Sequence, residues 1–377
     1  MKTKILYIVS SLRKAGPIIV LQNLIRHLDR DRFEVAIVKL CEDEPQRSIT
    51  HQFVEEGIQV YEIGSSKKSV ELFPKRIAKK VDNIVEEFKP DIIHTHGYQA
   101  VRVAINIKKR IPIIETLHNI SGEDYILNYG KMLGTYMNFM YHRALTKIQW
   151  AAAISIGVEK YYRENIPSLQ LSVIPNGVQD IPKDLPSKET IRREMNLETD
   201  SIVFSVVASI THRKDPITII RAFQEAFPNG TNDKVRLFFI GKGPLEEECK
   251  RVIGTDCRIK LLGWHPDSYR YIRMADWTVS ASHSEGFGMN FIESLMIGTP
   301  VISTEIEAFK DFKSFFPQLN DFKFMPEDVN KLASLMRKAI STKIDGNKLQ
   351  TEADRNYSSE IMAKRYMHLY SKLSKEA

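Results

Sequence analysis

The stretch from His283 to Thr304, HSEGFGMNFIESLMIGTPVIST, holds two carboxylates eight positions apart, Glu285 and Glu293, on either side of a Gly-x-Gly loop. Gly286 and Gly288 let the backbone approach a ligand, and the start of the helix that follows favours an anion. An ionised carboxylate only accepts hydrogen bonds, which suits the vicinal hydroxyls of a ribose or hexose. One such group before an anion-binding loop and one after it could grip sugars on both sides of a diphosphate. The spacing alone leaves a second reading open, a loop glutamate and a helix glutamate with no joint role. His94 and His96 end an apolar run, and His118 ends the next, so imidazoles also gather at strand ends. For His94 and His96 a hydrogen-bonded strand-end role is the simpler reading. The pair Asp29 and Asp31 follows a basic helix, where a cap and solvated turn explain it better than a metal site.

These groups need a scaffold, and the apolar pattern supplies one. Runs such as KILYIVSS, FEVAIVKL, IQVYEIG, DIIHTHG and IPIIETLH are continuous rather than alternating, as strands covered on both faces are. Helical patterns such as Ile18 to Asp31 and Phe73 to Phe88 lie between them. WAAAIS and LSVIPNG close this half; Asn176 and Gly177 need only a turn role. A polar segment with two prolines, Asp180 to Asn196, is the expected linker, and the alternation then restarts with SIVFSVVAS, VRLFFIGKG, RIKLLGW, WTVSAS and TPVIST. The expectation is an α/β chain of two Rossmann-like, doubly wound parallel sheets facing a cleft. The first domain spans 1–178 with a returning helix from Tyr357, and the second spans 179–356.

The chain has 377 residues, 54 Lys+Arg and 47 Asp+Glu, a net charge of +7, with 43% apolar and 27% charged residues. That length suits two domains. No run approaches the roughly 20 uncharged apolar residues of a membrane-spanning helix. MKTKILYIVSSLRK reads as a first strand rather than a signal peptide, and three scattered cysteines make neither a disulfide framework nor a zinc site. A cytoplasmic protein without a metal is expected. Lys67, Lys68, Lys75, Arg76, Lys79 and Lys80 cluster at the helix whose stripe is Ile77, Val81, Ile84, Val85 and Phe88. A solvated basic face explains them, and contact with the anionic cytoplasmic face of a membrane is the functional alternative. Nucleic acid is not expected, because no aromatic platforms interleave with the basic runs. The stretch Tyr125 to Leu145 reads as a core helix, with a lipid-acceptor groove as the alternative.

Glu285, Gly286, Phe287, Gly288, Glu293 and then Gly298 to Val301 resemble the E-x7-E signature of retaining GT-B-fold glycosyltransferases, more narrowly family 4. The segments IIHTHG, TLHN, IPNGV, FIGKGPLEEECK and MADWTVSAS match that family's motifs in order, so the resemblance covers almost the whole chain. It implies that Glu293 holds the ribose hydroxyls and that Glu285 lies near the donor hexose. The amides of Gly286, Phe287, Gly288 and Met289 would surround the sugar and diphosphate. It further implies that His118 faces the anomeric region, Lys214 neutralises the leaving diphosphate, Gly16 lies beneath the phosphates, and Gly263 and Trp264 wrap the base. The family's Arg, five residues before the Lys, is Ser209 here, so Arg213 is the candidate for the second charge. The amino-terminal turn also departs from the family, with Ala15, Gly16 and Pro17.

The expected activity is transfer of a hexose or N-acetylhexosamine, with retention, from a nucleotide diphosphate-sugar to a glycan acceptor. The base is expected to be uracil, and the acceptor a lipid-linked glycan of lipopolysaccharide or capsule synthesis. Two alternatives stay open, a nucleotide-sugar epimerase of the same fold and a silent partner protein that has lost turnover. Product analysis separates them.

Overall fold

Buried runs of Ile, Val, Leu and Ala form parallel strands in the computed structural model, which describes residues 2–179 and 181–376. Met1, Asp180 and Ala377, at the edges of the expected domains and linker, lie outside the described residues. Contacts divide the chain into two units, Met1–Gln179 with Ser359–Ala377, and Asp180–Ser358.

In the first unit the strands are β1 (Thr3–Val9), β2 (Phe33–Cys41), β3 (Gln59–Ser65), β4 (Ile92–His96), β5 (Ile113–Leu117), β6 (Trp150–Ala153) and β7 (Leu171–Val173). Their order across the sheet is β3-β2-β1-β4-β5-β6-β7. The second unit has β8 (Ile202–Val207), β9 (Val235–Ile240), β10 (Ile259–Gly263), β11 (Trp277–Ser280), β12 (Val301–Thr304) and β13 (Lys323–Phe324). Its order is β10-β9-β8-β11-β12-β13. Pairing is parallel throughout both sheets.

Strand order reverses between β1 and β4 in one sheet and between β8 and β11 in the other. A crevice opens outside the carboxyl ends at such a reversal, and ligands bind there. His96 ends β4; the loops after β8 and β11 carry Lys214 and Glu285.

The helix Pro74–Phe88 buries Ile77, Ala78, Val81, Val85 and Phe88 and leaves Lys75, Arg76, Lys79 and Lys80 exposed. Tyr357 ends the helix Gly346–Tyr357 and packs against Phe287, Phe312 and Phe316 of the second unit. The helix Ser359–Glu376 then packs on β4 and the helix Gly16–Arg26. The proline-bearing segment is part of the second unit. Its helix Lys188–Glu194 is capped by Ser187, and Arg192 bonds Asp276 Oδ2 at 2.6 Å.

Candidate functional site

In the second unit β8 runs into a loop that carries the single 3-10 turn His212–Lys214, closed by Asp215 at φ 43°. The Asp215 carboxylate accepts the Thr218 N–H at 3.2 Å and so starts the helix Pro216–Ala226. Arg213 and Lys214 are adjacent in sequence, yet in this turn both reach Glu285. Arg213 Nη1 donates to Glu285 Oε2 at 2.8 Å and to the Ser284 carbonyl at 2.9 Å. Lys214 Nζ and the Ser282 hydroxyl both donate to Oε1, the latter at 2.8 Å. Burial alone would raise the Glu285 carboxyl, but the two cations overcome it and hold it below the ordinary carboxylate range. An ionised glutamate thus anchors two positive side chains beside a pocket that Lys214, Glu285, Gly288 and Asn290 line.

Glu293 lies inside the helix Met289–Ile297, partly buried, with no hydrogen bond or ion pair to any described residue. Burial raises its carboxyl to about 7, against the pull of Lys214. No side chain caps this helix, so its start is open to an acceptor of hydrogen bonds.

Gly288 forms the cap at φ 89°, and a Cβ there would lie 2.3 Å from Phe309 Cε1. Phe309 is 1% exposed and packs on Phe291 and Phe312, so it has no room to yield. Gly288→Ala should therefore destabilise the protein by roughly 2–4 kcal/mol. A melting temperature within a degree or two of wild type would show the loop adapts.

Gly286, Phe287 and Met289 share the Glu285 loop and helix start, and the Phe287 ring is core, edge-on to Phe312. Gly263 ends β10 with φ 77°, its carbonyl accepting the Gly241 N–H at 2.8 Å, and Trp264 beside it is 60% exposed. Ser209 is exposed in the loop after β8, one residue from Ile210, which bonds the Lys242 carbonyl.

In the first unit, β4 and β5 bring three imidazoles together. His96 Nδ1 is 2.9 Å from His118 Nε2, and the His94 ring lies 4.6 Å from that of His96. Burial holds His118 down at about 4 and His94 at about 3, so both are neutral near pH 7. His94 is satisfied by Tyr370 Oη at 2.7 Å and Thr116 Oγ1 at 2.8 Å, which supports the hydrogen-bonded strand-end reading for it.

Glu115 sits at 0% exposure in β5. It accepts from the Gly97 N–H at 2.8 Å and the Tyr141 hydroxyl at 2.6 Å, and shares a hydrogen bond with Thr95 Oγ1. Burial still raises its carboxyl to about 8. A single acid inside the apolar run IPIIETLH was the sequence signal for it. His96 and His118 line a pocket with Lys67, Glu71 and Tyr98.

Gly16 opens the helix Gly16–Arg26 without positive φ, and a Cβ there would meet nothing within 4 Å. Neither conformation nor space requires glycine at that position. The stretch from Tyr125 is not one core helix. Gly130, at φ 79°, separates Ser121–Tyr129 from Lys131–Leu145, and Leu127, Met132, Leu133, Tyr136 and Phe139 are exposed. Asp29 accepts the Asp31 N–H at 2.9 Å, as a turn residue does. Among the described residues no three His, Cys, Asp or Glu are grouped to hold a metal ion, and no helix is long and apolar enough to cross a membrane.

Two family models match the chain, Glycosyltransferase Family 4 over residues 16–180 and Glycosyl transferases group 1 over residues 187–356. The O-antigen biosynthesis glycosyltransferase WclY of Escherichia coli is 24% identical over 382 residues, covering 99% of each chain. An Escherichia coli UDP-Gal:alpha-D-GlcNAc-diphosphoundecaprenol alpha-1,3-galactosyltransferase is 25% identical over 258 residues, 63% of this chain and 65% of that one. The crystal structure of HepE from Anabaena in complex with UDP superposes with a TM-score of 0.79 at 18% identity, over 99% of this chain and 100% of the other. At that identity the likeness is one of fold.

Proposed function

Because this chain belongs to the family 4 and group 1 glycosyltransferases of GT-B fold, we propose that it moves a hexose or N-acetylhexosamine from UDP, with retention, onto a lipid-linked glycan. The observation that carries the reading is the convergence of Lys214 and Arg213 on Glu285 beside the uncapped helix Met289–Ile297. As the anomeric bond breaks, negative charge grows on the diphosphate. A preorganised ammonium, guanidinium and helix start stabilise that charge without reorganising at the moment of reaction. Glu285 takes one of three ammonium donors on Lys214 and leaves the rest for phosphate oxygens. Glu293 takes the ribose hydroxyls, and Trp264 and Gly263 the uracil. Gly16 contacts the phosphates through its backbone, and His118 acts at the sugar.

The acceptor assignment is supported by the relatives of O-antigen and diphosphoundecaprenol chemistry. It is also supported by the exposed apolar residues Leu127 to Phe139 and the basic face of Pro74–Phe88, which suit an anionic membrane surface.

A thermal-shift panel of UDP, GDP, ADP and their sugars tests the donor site. A uracil nucleotide well above its dissociation constant should stabilise by a few kcal/mol. No stabilisation by any of them would remove the site. UDP-glucose carries a constant charge between pH 6 and 8, whereas Glu293 titrates there. Since hydroxyls donate best to the ionised carboxylate, affinity should rise about tenfold over that interval, and Glu293→Gln should abolish the slope. An equal slope in the variant would acquit Glu293.

A further inference from the structure

His96 is 6% exposed and stands between two other imidazoles. Its Nδ1 meets His118 Nε2 at 2.9 Å, while its own Nε2 is buried without a hydrogen-bond partner among the described residues. On its far side the His94 ring is locked. Tyr370 Oη and Thr116 Oγ1 take its two nitrogens, and Thr116 Oγ1 is in turn 2.8 Å from Tyr366 Oη.

We infer that His96 is a positioning residue, donating from Nδ1 to His118 Nε2 and thereby fixing the proton of His118 on Nδ1. The argument concerns which nitrogens carry hydrogen. Were the proton of neutral His96 on Nε2, a buried N–H would be left without an acceptor. Such orphaned donors are rarer in folded proteins than under-satisfied acceptors. With the proton on Nδ1, His96 donates to His118, and only a bare ring nitrogen is left unpaired. The bond made at one nitrogen of an imidazole sets the state of the other. His118 therefore presents Nδ1–H as a donor, and that nitrogen has no hydrogen bond to any described residue. His118 and His96 both line the pocket at the carboxyl ends of β4 and β5. With its centroid 4.6 Å away and its plane tilted by 32°, the locked His94 ring limits rotation of His96, so the tautomer and the ring plane are held together. The inference rests on His118 acting at the transferred sugar, where a fixed N–H donor grips a hydroxyl or the developing charge.

The test pairs a spectroscopic readout with kinetics on the full chain. Histidine-selective 15N labelling with long-range proton–nitrogen correlation reads the His118 tautomer in wild type, His96→Ala and His96→Asn. The same proteins are assayed for turnover of UDP-sugars. Wild type should show Nδ1–H. His96→Ala removes the donor and leaves room for water that can accept from Nε2, so His118 should shift toward Nε2–H, with kcat down about 10- to 100-fold and the donor KM within about twofold. Asparagine can place an amide N–H near the lost Nδ1–H, so His96→Asn should keep the wild-type tautomer and recover most of kcat. His118 protonated on Nε2 in wild type overturns the inference. So does a His96→Ala protein with unchanged tautomer or unchanged kcat, or an equal kinetic loss in both variants. If wild type turns over no donor at all, the functional reading fails, and the tautomer measurement still decides the role of His96.

Discussion

Lys214→Ala should lower kcat for the cognate UDP-sugar by about 10²- to 10³-fold, with a much smaller change in donor KM. In the proposed reaction the ammonium acts on charge that exists fully only after the anomeric bond has broken, so its loss would fall on the transition state. The Lys214 side chain is 16% exposed against 43% for Arg213, and a charge is worth more where water screens it less. Arg213→Ala should accordingly cost less, about tenfold. A measurable loss there is the mark of Arg213 supplying the charge that Ser209 lacks. Because Lys214 also neutralises Glu285, the melting transition must be followed in the same samples. A kcat within fivefold of wild type in a folded Lys214→Ala protein would take the residue out of the reaction.

Glu115→Gln should stabilise the protein in alkali while leaving it unchanged or weaker in acid. A carboxyl raised from 4.5 to about 8 by burial keeps its proton in the folded chain and loses it in the unfolded one. Between those values the folded state binds more protons, so wild-type stability falls as pH rises and is fullest below about 4.5. The total amounts to on the order of 4 kcal/mol by pH 9. The glutamine carbonyl can accept from Gly97 and Tyr141, and its amide can donate to Thr95 Oγ1, which already donates to the Ile114 carbonyl at 3.0 Å. Paired denaturation curves from pH 5 to 9 isolate this one group. Parallel curves for the two proteins would mean Glu115 is ionised as an ordinary acid.

Both sheets were legible because continuous apolar runs between helical patterns admit few other readings. The strand that escaped notice is short. β13 has two residues, too few for any periodicity, and it is held as an edge by pairing Ser303 with Lys323 and Thr304 with Phe324. The loop of Glu285 was legible for a different reason, since Gly-x-Gly and two acids crowd into a short span. What sequence did not disclose is lateral. Arg213 and Lys214 could not be seen to converge, because a 3-10 turn and a residue at positive φ decide where they point. Nor could the imidazole contacts be read, since His96 and His118 are brought together by the pairing of His96 with Thr116 across adjacent strands. The apolar residues from Leu127 to Phe139 misled in the other direction. Their periodicity resembles that of a buried helix, and only the fold reveals that no partner of this chain covers them.

The returning helix has a bearing on the order in which the protein is made. Tyr370 bonds Tyr7, 363 positions away, and His94, 276 away; Tyr366 bonds Thr116 across 250. These hydroxyls leave the ribosome only after every residue of the second unit. Until then the first sheet has its strands but not the groups that satisfy its buried imidazole and phenol. A nascent chain can therefore assemble the second unit as an uninterrupted segment, while the unit bearing the histidines waits for the helix that returns to it. Closing loops of that length costs little more entropy than closing shorter ones, so the delay is one of time rather than of stability. The first sheet is thus completed after the second, although its strands come first.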